Sequence, residues 1–78
     1  MLKALEAYVS TQYAYAKKTN RYDAINAYFR NAFGATCFAM DIAETQKEYH
    51  ALEKFWEQWQ EKFNDYMWNL SLDNAPSV

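Results

Sequence analysis

The chain has 78 residues, with one Gly, one Pro, one Cys and a net charge of −2. That length limits it to a single domain, one that hides only about 60% of the surface its unfolded chain would expose. So few turn formers exclude an all-β fold and favour long helices. A single Cys excludes an internal disulfide and a cysteine-based zinc site, in keeping with a reducing compartment.

The charge is unevenly held. Residues 1–38 carry five Lys and Arg against two Asp and Glu, a net +3, whereas residues 39–78 carry three against eight, a net −5. Halves of opposite sign can pack on each other or on a second copy. Fifteen residues are aromatic, seven of them Tyr, which is more ring surface than one small core hides. The most apolar stretch, Ala32 to Ala43, is interrupted by Asp41 and falls short of the roughly 18 apolar residues of a membrane span. The start, Met1 to Glu6, lacks the basic-then-apolar layout of a signal peptide. The expectation is a cytoplasmic protein that does not associate with membranes.

Helical periodicity begins at once. Leu2, Leu5, Val9 and Ala16 form one stripe with Tyr8, Tyr13 and Tyr15 on its flanks, which predicts a helix over about residues 2–18. Lys17 and Lys18 suit its C-terminus. Tyr22, Ile25, Phe29 and Ala32 predict a second helix over 21–34, with Asn20 as N-cap and Gly34 just past the C-terminus. The competing reading runs this helix through Gly34, because Thr36 and Met40 continue the stripe.

The third segment has the clearest pattern. Tyr49, Leu52, Trp56, Trp59, Phe63, Tyr66 and Leu70 alternate steps of three and four, a heptad seam on one long helix ending near residue 71. Its start is either Thr36, since Phe38, Ile42 and Thr45 extend the phase backwards, or the capping box Thr45-Gln46-Lys47-Glu48. Residues 72–78 read as a flexible tail. The predicted fold is all-α, a small three-helix bundle over residues 1–71 with a long aromatic-rich C-terminal helix.

Candidate working residues fall into three groups. Glu53, Glu57, Glu61 and Asp65 form an acidic row, which is either a solvated face or a dock for a basic partner. Trp68 points away from the seam, and Tyr8, Tyr15 and Tyr28 flank their stripes, which makes them lids over the core or interface residues. Lys17, Lys18 and Arg21, near Tyr13, Tyr15 and Tyr22, superficially resemble a single-stranded nucleic-acid platform, although three cations in an acidic protein make a weak footprint.

His50 lies on the polar side of the third helix, and Cys37 has a neutral neighbourhood that suits a small buried hydrophobe. No motif joins them into a nucleophile and base, and no Glu-x-x-His pair is present for a bundle metal site. The expected function is therefore non-enzymatic, without cofactor or metal: a protein–protein interaction module whose partner is another protein or a second copy. One alternative is a phage or mobile-element protein that blocks a host protein. Another is a nucleic-acid-associated protein using Lys17, Lys18 and Arg21.

Overall fold

The computed structural model describes residues 2–73. They form three helices, α1 (Leu2–Ala16), α2 (Tyr22–Asp41) and α3 (Gln46–Asp73), packed as a small all-α bundle. Among the described residues no helix is long and apolar enough to cross a membrane. The middle helix is shared: α2 packs extensively on α1 and on α3, while the backbones of α1 and α3 approach least and these two helices meet through side chains such as Tyr13 against Trp59 and Phe63. The bundle is about 52 Å long and only 19 × 16 Å across. Its radius of gyration, 14.2 Å, exceeds the roughly 11.5 Å of a compact chain of this length. A slender rod has little interior, which is why so many rings lie half covered.

The fully buried side chains are mostly small: Val9 and Ala16 on α1, and Ile25, Ala32 and Thr36 on α2, with Phe63 on α3 the one large exception. Around Phe63 the rings form a continuous chain. Phe33 meets Trp56 (5.3 Å between centroids), Trp56 meets Phe29 (5.3 Å), Phe29 meets Phe63 (5.4 Å), Phe63 meets Tyr13 (5.2 Å) and Tyr13 meets Trp59 (5.6 Å). This chain threads all three helices, and edge-on pairs within it contribute about 0.5–1.5 kcal/mol each beyond area burial. The two buried polar side chains among the described residues are satisfied. Gln12 Oε1 accepts a bond from Asn31 Nδ2 (3.3 Å), tying α1 to α2, and Thr36 Oγ1 donates to the Ala32 carbonyl (2.8 Å).

Several boundaries differ from the sequence reading. α2 does not stop at Gly34 but continues to Asp41, and Gly34 has no positive φ. A helix interior Gly costs about 1 kcal/mol relative to Ala, and burial of Thr36 and Ala39 beyond it outweighs that cost. The second helix also lacks the expected Asn20 cap. Arg21 occupies the N-cap in extended backbone without a side-chain cap bond, and its N–H donates to Thr19 Oγ1 instead (3.2 Å).

Between the two starts considered for α3, the structure has the later one. The Glu48 N–H donates to Thr45 Oγ1 (3.1 Å), while Glu48 Oε2 accepts from the Glu44 N–H (3.1 Å), one residue outside the usual reciprocal partner. Phe38 and Ile42 therefore belong to α2 and its C-cap, not to the α3 seam. α1 ends at Ala16 rather than Lys18, its last turn tightening as the Lys18 and Thr19 N–H groups bond to the Tyr15 and Ala16 carbonyls. α3 runs on to Asp73, so the expected tail falls, from Asn74 onward, outside the described residues.

One side chain fastens the far end of α3 to the rest. The Tyr66 hydroxyl donates to the Thr19 carbonyl at 2.7 Å, with the Lys17 carbonyl at 3.3 Å. These carbonyls belong to the turn between α1 and α2, so Tyr66 pins that turn to α3.

Candidate protein-binding surface

α3 divides lengthwise. Leu52 and Phe63 are buried, and Trp56, Trp59, Tyr66 and Leu70 are half buried against the core, so the seam faces inward from Leu52 onward. Tyr49 is exposed and lies outside it. Facing away from α2 are His50, Glu57, Glu61, Asp65, Trp68 and Leu72, all exposed. At 100° per residue this outer face sits roughly opposite the seam.

The acidic row is not uniform. Glu53 is only partly exposed, and its Oε1 lies 2.8 Å from His50 Nδ1. Glu57, Glu61 and Asp65 hold no hydrogen bond or ion pair among the described residues. Lys62, a candidate to neutralise them, instead places its ammonium over the Trp59 ring, 4.4 Å from the centroid. Asp65 does act on one neighbour: together with burial, the larger cause, its charge raises the Tyr13 pKa. Three unpaired carboxylates thus run along α3 towards Trp68. That ring is 65% exposed, and Leu72, one turn further on, is 55% exposed. A Trp–Leu step at i,i+4 makes one continuous apolar ridge. The sequence places Leu72 in the flexible tail from residue 72; α3 instead continues through Leu72 to Asp73, which aligns Leu72 with Trp68.

The flanking tyrosines divide between the two roles considered for them. Tyr15 and Tyr28 pack on each other across α1 and α2 (5.7 Å between centroids), and Tyr28 is half buried against the core. Tyr8 and Tyr15 are exposed. The structure does not bring these tyrosines and Trp68 into one cluster: the former sit along the α1–α2 face and the latter on α3. Another exposed ring, Phe38, fits the α3 seam in one of the two sequence readings of that helix's start; its exposure, 66%, is close to that of Trp68.

The basic residues near the first turn are engaged locally. Lys17 and Lys18 place their ammonium groups over the Tyr13 and Tyr15 rings (5.2 and 5.8 Å). Arg21 makes a two-pronged contact with Asp23 (2.8 and 3.3 Å), which holds the Asp23 carboxyl below its ordinary pKa. Cys37 is partly buried, and His50 is on the outer face of α3. Among the described residues no three His, Cys, Asp or Glu side chains converge as metal ligands would. A cleft of about 310 Å³ opens where the start of α1 meets the α2–α3 turn. Leu2, Ile42, Ala43, Ala51 and Leu52 give it aliphatic walls, and Glu44 and Glu48 stand at its edge, Glu48 already committed to the α3 cap. Compared with known proteins, the chain matches no family model, no curated protein and no solved structure.

Proposed function

We propose that this chain is a non-enzymatic protein-binding module whose α3 outer face docks a partner presenting basic and apolar side chains together. The observation that carries the reading is the exposed Trp68–Leu72 ridge continuing a run of three unpaired carboxylates, Glu57, Glu61 and Asp65. A Trp half out of water is the residue type most enriched among interface anchors. Like charges four apart on a helix destabilise it by about 0.2–0.5 kcal/mol per pair. Cations supplied by a partner would relieve that repulsion, while an apolar group would cover the ring, so the same surface gains from both contacts.

The test is affinity capture from lysate of the source cell with three baits: the wild-type chain, Trp68→Ala, and the double reversal Glu57→Lys with Glu61→Lys. A protein retained by the first, lost from the other two, and released progressively as salt rises supports the reading. Circular dichroism should show all three baits equally folded, since neither change touches the core. An identical set of captured proteins for all three baits refutes the α3 face as the docking surface.

A further inference from the structure

The face of α2 opposite the core carries features that nothing inside the monomer explains. Ile25, Ala32, Thr36 and Ala39 point inward. On the far side lie Arg30, Gly34, Phe38 and Asp41, all exposed, within an arc of about 80° at 100° per residue. Gly34 is the most puzzling. Its φ is not positive, and a Cβ built there would meet nothing within 4 Å. The fold therefore has no use for a glycine at this position, although glycine is the poorest helix former after proline. Next to this gap, one turn on, stands Phe38, the most exposed large hydrophobic side chain described. Arg30 and Asp41 flank the two and hold no ion pair or hydrogen bond among the described residues.

We infer that two copies of this chain associate through α2, antiparallel about a two-fold axis that passes between the two outer faces at the height of residue 36. Such an axis interchanges positions equidistant from it along the helix, and each contact is made twice. It lays Phe38 of each copy over Gly34 of the other, so the missing Cβ becomes the socket for the ring. The same axis solves the charges: the midpoint of Arg30 and Asp41 falls within one residue of the midpoint of Gly34 and Phe38, so each Arg30 meets the other copy's Asp41. One axis satisfying a knob and hole and an ion pair of opposite charges is the argument for a second copy over an unrelated protein. The α3 outer face cannot serve in this way, because its carboxylates would confront themselves. An interface one helix wide lies at the small end of specific contacts, so dissociation in the range of tens of micromolar is expected.

Sedimentation equilibrium of the purified chain from about 1 µM to about 500 µM spans that range. Wild-type chain should pass from monomer to dimer. Arg30→Asp should weaken the dimer about tenfold or more by setting carboxylate against carboxylate, and Arg30→Asp combined with Asp41→Arg should restore it to within about threefold. Gly34→Ala gives a readout of opposite sign: it should raise the melting temperature of the dilute monomer by several degrees, a gain of helix propensity, while weakening the dimer about tenfold. Trp68→Ala should leave the dimer unchanged, which separates this inference from the role proposed for α3. A wild-type chain that stays monomeric throughout overturns it. So does a double charge variant as weak as the single one, or a dimer lost with Trp68→Ala and kept with Gly34→Ala.

Discussion

Replacing Phe63 by Leu probes the centre of the ring chain while keeping the site apolar. Phe63 is fully buried and meets Tyr13 and Phe29 edge-on, at interplanar angles of 72° and 80°. Leu preserves most of the buried volume and removes the ring, so the loss is chiefly two aromatic pairs at about 0.5–1.5 kcal/mol each, or about 1–3 kcal/mol together. For a domain of this size that corresponds to a fall in Tm of about 4–8 °C for each kcal/mol. Phe63→Ala adds a cavity and should cost about 3–5 kcal/mol. Urea unfolding followed by far-ultraviolet circular dichroism measures both, at concentrations below those at which the chain associates. The m-value should stay constant while the midpoint moves. A double-mutant cycle with Tyr13→Leu should return a coupling of about 0.5–1.5 kcal/mol. A Phe63→Leu loss below about 0.5 kcal/mol, or strict additivity in the cycle, would show that area burial alone and not ring geometry holds the centre of the bundle.

Trp59→Ala should cost about 2 kcal/mol by the same unfolding assay, below the Phe63→Ala value, because Trp59 is only half buried and keeps one face for Lys62. Tyr66→Phe removes the hydroxyl that the Thr19 carbonyl accepts; a loss of about 0.5–1.5 kcal/mol is expected, with faster amide exchange around residues 17–21 and unchanged helicity. Alkaline titration should find Tyr13 ionising above the ordinary tyrosine value near 10, since burial first and then Asp65 and Tyr66 raise its pKa. A tyrosine is neutral below its pKa, so this contribution is intact below the unfolded value near 10 and declines as pH climbs towards the folded value. Tyr13→Phe should flatten that decline; an equally steep loss of stability above pH 10 in the variant would assign it to other groups.

The helical class and the three-helix count were legible from periodicity, because the α3 seam repeats over five turns and a stripe of that length has no other explanation. Gly34 misled for a physical reason. Glycine marks a helix end by adopting positive φ, and at this position tertiary contacts of Thr36 and Ala39 hold it in ordinary helical backbone. Phe38 and Ile42 share a phase with the α3 seam by coincidence of spacing; only the turn after Asp41 shows that they belong to another helix. The outward direction of Trp68 followed from helical geometry alone. The pairing of Glu53 with His50, and the placement of Lys62 over Trp59 rather than beside a carboxylate, depend on rotamers that a sequence pattern does not encode.

The Tyr66 bond bears on how the chain finds its structure. α1 with α2, and α2 with α3, are each hairpins of neighbouring segments, closed by short turns, and chains built from such local pairings fold fast. The two hairpins are also tied to each other, by the Tyr13 ring of α1 against Trp59 and Phe63 of α3 and by the Tyr66 hydroxyl. The Tyr66 hydroxyl reaches the Thr19 and Lys17 carbonyls across 47 and 49 positions of sequence, joining α3 to the first turn. With the Tyr13 contacts to Trp59 and Phe63, these bonds couple the two hairpins, so the chain is expected to unfold as one unit rather than as two.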